Sequence, residues 1–247
     1  MGIKGHDTQS YSLLLAQLVV SFGERLRGST PLPMQETYSR TGIRVIPAES
    51  VRSGVFLDRD GVIVEDTGYL HRVEDIRYIP GSLEAIARLN IARIPVIMVT
   101  NQAGIGRGYF GWPEFEAVQQ RIEEDLAREG AWLDGVWACA RHPNGSSPLA
   151  QADHPWRKPN PGMILDAASR LAIDLRSSWM VGDKLLDIEA ACRAGLRGAV
   201  HVLTGYGQET RPEVARLEAA LRARCAIRYA TALSQAVSIL IEDFAVA

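Results

Sequence analysis

Three short apolar runs in this chain each end in polar side chains. The runs and the polar residues that follow them are 54–57 with Asp58 and Asp60, 95–99 with Thr100 and Asn101, and 179–182 with Asp183 and Lys184. Continuous hydrophobicity over four or five residues predicts strands that are buried on both faces, as in a parallel sheet. Because ligands of open parallel sheets bind beyond the carboxyl ends of the strands, the three polar ends predict one shared site.

Helical and strand patterns alternate after the first run. Helices are predicted at 82–91, 113–129, 160–171, 187–195, 211–224 and 231–243, and further short strands at 136–138, 199–203 and 226–229. Ser82 is the predicted N-cap of the first helix, and residues 103–108 form a glycine-rich, flexible loop. The alternation predicts an α/β fold with a doubly wound, Rossmann-like parallel sheet.

Residues 1–50 differ from the rest of the chain. Their apolar stretch, 12–22, is shorter than the ~20 residues that span a bilayer, and no small-x-small cleavage pattern follows it. We predict an N-terminal extension, either dispensable and poorly ordered or a short docked helix, before a domain at 51–247. An export signal or membrane tether ranks last.

Composition narrows the class of protein. A hydrophobic content of 47% and a formal net charge of -2 predict a soluble globular protein without a nucleic-acid or membrane partner. The three cysteines, Cys139, Cys192 and Cys225, are widely spaced and odd in number. They predict a reducing, cytoplasmic location without a disulfide framework, and we expect a monomer.

Four motifs occur in the order that is typical of one enzyme family. They are Asp58-Arg59-Asp60-Gly61, Thr100-Asn101, Lys158, and Gly182-Asp183-Lys184-Leu185-Leu186-Asp187. The set resembles the haloacid-dehalogenase-like (HAD-like) phosphohydrolases over about residues 53–243. It is most similar to the branch that contains D-glycero-D-manno-heptose 1,7-bisphosphate phosphatases and histidinol phosphatases. Only a loop and one helix fit between Asp60 and Thr100, which predicts a capless member whose pocket is bounded by the loops 65–70, 103–111 and 139–157.

The motif residues fit phosphate ester hydrolysis. Asp58 is the predicted nucleophile that forms an aspartyl-phosphate, and Asp60 the predicted general acid and base. Thr100 and Lys158 are the predicted donors to the transferring phosphoryl oxygens. A carboxylate that attacks an anionic phosphoryl group needs nearby positive charge, which predicts Mg2+ held by Asp58 and Asp183. The resemblance adds the main-chain carbonyl of Asp60 as a metal ligand.

The resemblance also implies the residues that line the substrate pocket. They are Asp66, Thr67, Gly68, Tyr69, Asn101, Gln102, Ala103, Arg157 and Lys184. Arg107 either holds a second phosphate or is a solvated loop residue. Asp187 either orients Lys184 or a metal-bound water, or caps a helix.

The long loop departs from the family pattern. Related enzymes place Cys-x-His before it and Cys-x-Cys at its end as a structural zinc site. Here only Cys139 and His154 remain as ligands, with Arg141 and Trp156 at the other two positions and His142 one residue out of register. We therefore predict that the loop packs without zinc, and that residual zinc at Cys139 and His154 is doubtful.

Together these features predict a Mg2+-dependent phosphomonoester hydrolase that acts on a small phosphorylated metabolite. The predicted substrate is the 7-phosphate of D-glycero-D-manno-heptose 1,7-bisphosphate, and the alternative is histidinol phosphate or another small phosphomonoester. A non-catalytic sugar-phosphate-binding module is the alternative of another class. The presence of both Asp58 and Asp60 argues against it, because binding needs neither a nucleophile nor a general acid.

Overall fold

Seven strands form one sheet in the part of the chain that the structure describes. The structure is a computed structural model, and it describes residues 37–41, 51–146 and 148–246. The strands are β1 (Thr37–Thr41), β2 (Val55–Leu57), β3 (Val96–Asn101), β4 (Gly135–Cys139), β5 (Trp179–Gly182), β6 (Gly198–His201) and β7 (Ala226–Tyr229). Their order in space is β1-β4-β3-β2-β5-β6-β7, and every neighbouring pair is parallel except β1 with β4. The predicted doubly wound parallel sheet is confirmed.

Seven α-helices accompany the sheet within the described residues. They are α1 (Ser82–Ile91), α2 (Ala103–Gly106), α3 (Trp112–Arg128), α4 (Gly162–Leu171), α5 (Leu185–Ala194), α6 (Gly207–Arg222) and α7 (Leu233–Val246). Six of them correspond to predicted helices: α1 has the predicted ends, and the other five have shifted ends. Across the described ranges, every helix is too short or too polar to cross a bilayer.

Alternate residues of the central strand pack on opposite faces of the sheet. Val55 and Leu57 belong to the core that α1, α3 and α7 cover. Phe56 belongs to the core that α4, α5 and α6 cover. All three side chains are fully buried. Burial on both faces explains why the strands form continuous apolar runs in the sequence.

The direction of chain addition reverses at β2. The chain adds β3 and β4 on one side of β2, and then returns to add β5, β6 and β7 on the other side. The polar residues that follow β2, β3 and β5 therefore meet at one edge, at the switch point where ligands bind in such sheets. Between β2 and β3 the chain forms only a 3-10 turn, Val73–Asp75, and α1. This content confirms the absence of a cap domain at that position.

Two local predictions are wrong. Gly81, with φ of 77°, occupies the N-cap position that was predicted for Ser82. The Ser82 hydroxyl instead donates to the carbonyl of Ile63 at 2.8 Å and ties α1 to the loop after β2. The predicted flexible loop 103–108 begins with the short helix α2, whose residues Gly104–Gly106 are buried.

Residues 37–41 belong to the sheet and not to the predicted N-terminal extension. They form β1, which pairs antiparallel with β4 from Thr37 opposite Cys139 to Thr41 opposite Gly135. The ring of Tyr38 stacks on Trp112 with 5.8 Å between the centroids. The sheet therefore begins before residue 51. The other residues of the predicted extension lie outside the described ranges.

Cys192 and Cys225 form a disulfide bond, which corrects the expectation drawn from the number and spacing of the cysteines. Their Cα atoms are 5.2 Å apart, although 33 residues separate them in sequence. The proximity arises because α5, which carries Cys192, packs against α6, which leads into Cys225. Only the tertiary arrangement of these helices reveals the pair.

Candidate active site

Asp58 lies directly beyond the carboxyl end of β2 and is 5% exposed. Its Oδ1 accepts a hydrogen bond from the main-chain N–H of Arg59 at 2.7 Å. Its Oδ2 lies 3.0 Å from Nζ of Lys158. The chain then turns at Gly61, where φ is 82° and an added Cβ would lie 2.4 Å from Oδ2 of Asp183. Only glycine permits this turn and this close approach.

Asp60 is held by a guanidinium and an amide. Arg59, 1% exposed, donates to Asp60 through Nε at 3.1 Å and an Nη at 2.9 Å. Gln102 donates from Nε2 to Asp60 at 3.1 Å and to the Thr100 hydroxyl at 2.9 Å. Burial raises the pKa of Asp60; the charge of Arg59 opposes this shift, and that of Asp58 adds to it. A raised pKa favours the protonated form that a general acid needs.

Lys158 is buried between two carboxylates. Its Nζ lies 3.0 Å from Oδ2 of Asp58 and 2.6 Å from Oδ1 of Asp187, and it donates to the carbonyl of Val99 at 2.9 Å. The amide of Asn101 exchanges two hydrogen bonds of 3.0 Å with the main chain of Lys158. Burial opposes the charge of Lys158, but the two carboxylates outweigh it and raise the pKa. The ammonium is therefore fixed beside the predicted nucleophile.

Three buried aspartates form a cluster that fits a cation. Asp58, Asp183 and Asp187 each present a carboxylate oxygen within 4.8 Å of the other two. Oδ1 of Asp183 is buried and has no hydrogen-bond partner among the described residues. Burial, and then the charge of Asp187, raise the pKa of Asp183 to about 8. Carboxylates this close need a proton or a cation between them, and a set of oxygen donors suits Mg2+.

Asp187 combines parts of the roles that the sequence left open. Its Oδ2 accepts the main-chain N–H of Lys184 at 3.1 Å, so it caps α5 from the third helical position and not from the N-cap itself. Its Oδ1 pairs with Lys158. Asp187 therefore also orients Lys158, the lysine beside Asp58, a contact that was not among the predicted alternatives of orienting Lys184, orienting a metal-bound water or capping a helix.

Lys184 links the aspartate cluster to the loop 65–70. Its Nζ donates to Asp66 at 2.7 Å, lies 4.0 Å from Oδ2 of Asp183 and sits 4.7 Å from the ring centre of Tyr206. Burial opposes the charge of Lys184, but Asp183, Asp58 and Asp66 outweigh it and raise the pKa. The side chain is therefore a permanent cation at the edge of the cluster.

A cleft of about 320 Å³ opens above these residues. Its lining includes Asp66, Gly68, Tyr69, Asn101, Gln102, Ala103, Arg157 and Lys184, together with Asp58, Asp60 and Tyr206. Thr67 is exposed and lies outside the lining, so eight of the nine predicted pocket residues are placed at the cleft. Arg157 is the residue that the loop 139–157 contributes to the lining. Below, "floor" denotes Asp58, Lys158, Asp183 and Asp187.

Positive groups lie next to Tyr69 and Arg157, which both line the cleft. Arg107 donates to the Tyr69 hydroxyl at 2.6 Å, and its other Nη lies 3.2 Å from Nε2 of His142. Arg157 donates to the carbonyl of Arg141 at 2.8 Å. Burial lowers the pKa of Arg157, and the charge of Arg107 adds to the effect. Burial and both arginines lower the pKa of His142. Below, "rim" denotes Tyr69, Arg107, His142 and Arg157.

Similarity to known proteins decides the family. A D-glycero-β-D-manno-heptose-1,7-bisphosphate 7-phosphatase from Mesorhizobium japonicum is 52% identical over 170 residues, which are 68% of this chain and 77% of that protein. This chain belongs to the HAD-like phosphatases. A heptose-bisphosphate phosphatase from Escherichia coli K12 is 41% identical over 151 residues, covering 61% of this chain and 79% of that protein. The family model described as HAD-hydrolase-like matches residues 155–224.

Solved structures agree with this membership. A HAD-like phosphatase from Mesorhizobium loti superposes with a TM-score of 0.72 at 42% identity, covering 87% of this chain and 96% of that one. A D,D-heptose 1,7-bisphosphate phosphatase from B. bronchiseptica, in complex with magnesium and phosphate, gives 0.67 at 32% identity, covering 77% and 99%. The present chain is a phosphoric monoester hydrolase of the HAD-like type.

Two residues of this HAD-like phosphatase site were not predicted. Arg59 fixes Asp60, and its guanidinium lies 5.4 Å from the ring centre of Phe115. The available signal was an arginine between two aspartates directly after an apolar run, because a buried arginine needs a carboxylate partner. The hydroxyl of Thr210 donates to the carbonyl of Asp183 at 2.5 Å. No local pattern connects these two positions, which are 27 residues apart.

The loop 139–157 uses its altered positions for protein contacts. Sγ of Cys139 lies 3.6 Å from Nδ1 of His154, and that nitrogen accepts the main-chain N–H of Trp156 at 3.1 Å. The side chain of Arg141 donates to the carbonyl of Pro148. Cys139 and His154 are thus neighbours, and the expected loss of zinc stays a prediction that elemental analysis of the purified protein checks.

Proposed function

We propose that this HAD-like phosphatase hydrolyses the 7-phosphate of D-glycero-D-manno-heptose 1,7-bisphosphate with Mg2+ and an aspartyl-phosphate intermediate. The observation that carries the chemistry is the convergence of Asp58, Lys158 and Asp183 in one buried cluster beside Asp60. The similarity to the Mesorhizobium japonicum enzyme supports the choice of substrate.

The reaction proceeds in two displacements. A carboxylate oxygen of Asp58 attacks phosphorus, and the sugar oxygen leaves with the proton of Asp60. Asp60, now ionised, takes a proton from water while the water oxygen attacks the phosphorus of the aspartyl-phosphate. The bond to Asp58 breaks, and inorganic phosphate is released. Arg59 and Gln102 keep Asp60 in place for both transfers.

The floor supplies the positive charge for both steps. Lys158 faces Asp58 as a fixed ammonium, and Asn101 fixes the main chain of that lysine. Asp58, Asp183 and the main-chain carbonyl of Asp60 would hold Mg2+, and the ion supplies charge stabilisation for the phosphoryl oxygens. The Thr100 hydroxyl accepts a hydrogen bond from Gln102. The hydrogen of that hydroxyl is therefore available to donate to a phosphoryl oxygen.

The rim suits the second phosphate of a bisphosphate. Arg107 and Arg157 carry two positive charges with no carboxylate bound to either among the described residues. Paired guanidiniums without countercharge are unfavourable until an anion joins them. The same charges disfavour histidinol phosphate, whose amine is an ammonium at neutral pH. The rim therefore favours the bisphosphate over the amino-alcohol phosphate.

Phosphate release separates these substrates. With Mg2+, kcat/KM should be highest for the heptose 1,7-bisphosphate, lower for the heptose 7-phosphate and lowest for histidinol phosphate.

A variant of the rim tests the role of Arg107. Arg107→Gln should lower kcat/KM for the bisphosphate about tenfold, because one charge-assisted contact is lost. The kcat/KM for the 7-phosphate should stay within twofold of the parent value. Arg216→Gln on the surface of α6 is the matched control. Equal losses for both sugar phosphates would contradict the assignment of the rim, and faster hydrolysis of histidinol phosphate would contradict the substrate.

A cytoplasmic, monomeric protein without nucleic-acid or membrane partners remains our proposal for location and assembly. The formal net charge of -2 supports it. The Cys192–Cys225 disulfide argues for an oxidising surrounding instead. Thiol titration of protein taken directly from cells shows whether Cys192 and Cys225 are reduced, as in the cytoplasm, or oxidised. Sedimentation analysis shows whether the protein is a monomer.

A further inference from the structure

The carbonyl oxygen of Asp183 accepts a hydrogen bond from the hydroxyl of Thr210 at 2.5 Å. The same hydroxyl lies 2.9 Å from Nε2 of His201. Because a carbonyl only accepts and a hydroxyl has one hydrogen, Nε2 of His201 must be the donor in its contact with Thr210. The directions of both bonds are therefore fixed by chemistry.

Arg211 completes the chain at its other end. Its Nε donates to Nδ1 of His201 at 2.9 Å, which agrees with a neutral ring protonated on Nε2. One Nη donates to the carbonyls of His201 and Ala230, and the guanidinium lies 4.5 Å from the ring centre of Tyr229. Hydrogen bonds thus run in one direction from Arg211 through His201 and Thr210 to the main chain of Asp183.

The same segment of chain also fixes the carboxylate of Asp183. The main-chain N–H of Tyr206 donates to Oδ2 at 2.8 Å. A Cβ at Gly205 would lie 2.3 Å from that oxygen. The hydroxyl of Thr204 donates to the carbonyl of Gly61 at 2.6 Å, which joins the turn after Asp60 to the loop after β6. Oδ1 is the oxygen left for a cation.

We propose that Thr210, oriented by His201 and Arg211, is a positioning residue that sets the main chain of Asp183 for divalent-cation binding. This inference rests on the proposed function only in placing a divalent cation at the floor. Thr210 touches neither the substrate nor the reacting atoms, and it acts through the carbonyl of Asp183. Fixing that carbonyl aims Oδ1 towards the other carboxylates before the cation arrives.

The test compares Thr210→Val, which keeps the shape but removes the hydroxyl, with Thr210→Ser, which keeps the hydroxyl. Titration calorimetry with Mg2+ on the full chain should show about tenfold weaker binding for the valine variant, the usual loss when a group that orients a metal ligand is removed. The serine variant should stay within twofold of the parent. At saturating Mg2+, kcat of the valine variant should recover to within about threefold of the parent value.

Thr231→Val is the matched control, since its hydroxyl bonds only Gln235 in the described contacts at the start of α7. It should lower the melting temperature without changing Mg2+ affinity. Unchanged Mg2+ affinity in Thr210→Val, or equal weakening in the serine variant, would overturn the proposal.

A second pair of variants serves if the valine variant is too unstable to measure. His201→Asn retains a side-chain N–H donor near Thr210, so it should weaken Mg2+ binding less than His201→Leu does. Equal Mg2+ affinities of these two variants would overturn the proposal. Calorimetry measures Mg2+ binding without turnover. Failure to hydrolyse the sugar phosphates would therefore contradict the proposed substrate, and the test of Thr210 would remain valid.

Discussion

The floor and the rim of the cleft are built in opposite ways. On the floor, the side chains of Lys158 and Asp187 are 1% and 0% exposed, and both groups pair with other floor residues. Near the rim, Tyr69 is 37% and its neighbour Tyr109 is 58% exposed. Tyr69 and Tyr109 meet edge to face with 4.8 Å between their ring centres.

This difference separates chemistry from selectivity. Floor side chains have several buried partners, so their geometry is fixed before a substrate binds and is costly to alter. Rim side chains have fewer partners and are only partly buried, so changes there should alter which ester binds while the reaction is kept. We expect variants to divide accordingly, with large effects on kcat at the floor and smaller effects on KM at the rim.

The largest effect is expected for Asp58→Asn. Loss of the nucleophile should lower kcat by at least about a thousandfold. The melting temperature should not fall, because the change removes one of three clustered negative charges and leaves the Lys158–Asp187 pair intact. Phosphate release and thermal unfolding measure the two quantities. Turnover at the parent rate would show that Asp58 is not the nucleophile.

Lys158→Met should come next. It removes the cation between Asp58 and Asp187, so kcat should fall about a hundredfold and the free energy of unfolding by about 3 kcal/mol. Steady-state assays and urea unfolding provide the values. Adding Asp187→Asn should restore part of the stability but none of the activity. If Lys158→Met alone were as stable as the parent, the ion pairs of Lys158 with Asp58 and Asp187 would not stabilise the floor.

Removal of Mg2+ should lower stability more at pH 8 than at pH 5. The pKa of Asp183 is raised to about 8 in the folded protein, so its stabilising contribution is present in acid and is lost as pH rises towards 8. Bound Mg2+ replaces the proton, which should add about 3 kcal/mol at pH 8. The difference between the melting temperatures with Mg2+ and with EDTA, measured at pH 5 and at pH 8, gives the stabilisation by Mg2+ at each pH. An equal gain at the two pH values would contradict the cation site at Asp183.

The smallest effect is expected at the rim for Tyr69→Phe. It removes the hydroxyl that accepts from Arg107, so KM for the bisphosphate should rise about threefold. The value of kcat should not change. Tyr109→Phe keeps the ring contact with Tyr69 and serves as the control. A fall in kcat without a change in KM would place Tyr69 with the floor instead.

The sequence pointed to Asp58 and Asp183 on the floor because each follows a buried strand, whereas Lys158 was predicted from the family resemblance and the role of Asp187 was left open. Asp58, Thr100 and Asp183 come at the ends of β2, β3 and β5, so the parallel order of the strands brings them together. The partners of these residues could not be predicted in the same way. Asn101, for example, bonds the main chain of Lys158, which is 57 residues away. Such contacts depend on loop paths that periodicity does not encode.

The disulfide and β1 were missed for a related reason. Cys192 and Cys225 meet because two helices pack side by side, and spacing along the chain does not report helix packing. Thr37–Thr41 is partly exposed and lacks a continuous apolar run, so its pattern is weak. Its pairing with β4 is visible only once the sheet is assembled.

β1 replaces the buried, mostly apolar strand β4 as the edge of the sheet and places the polar Ser39 and the charged Arg40 there, which should disfavour pairing with other copies. It pairs with β4, Gly135–Cys139, along that strand's whole length, beside the fully buried ring of Trp137. A chain shortened to start at residue 51 would leave the N–H and C=O groups on that side of β4 open to strands of neighbouring molecules. Light scattering should then reveal growing aggregates, whereas the full chain stays dispersed. A five-residue strand at the edge of the sheet should thus help to keep the protein in solution.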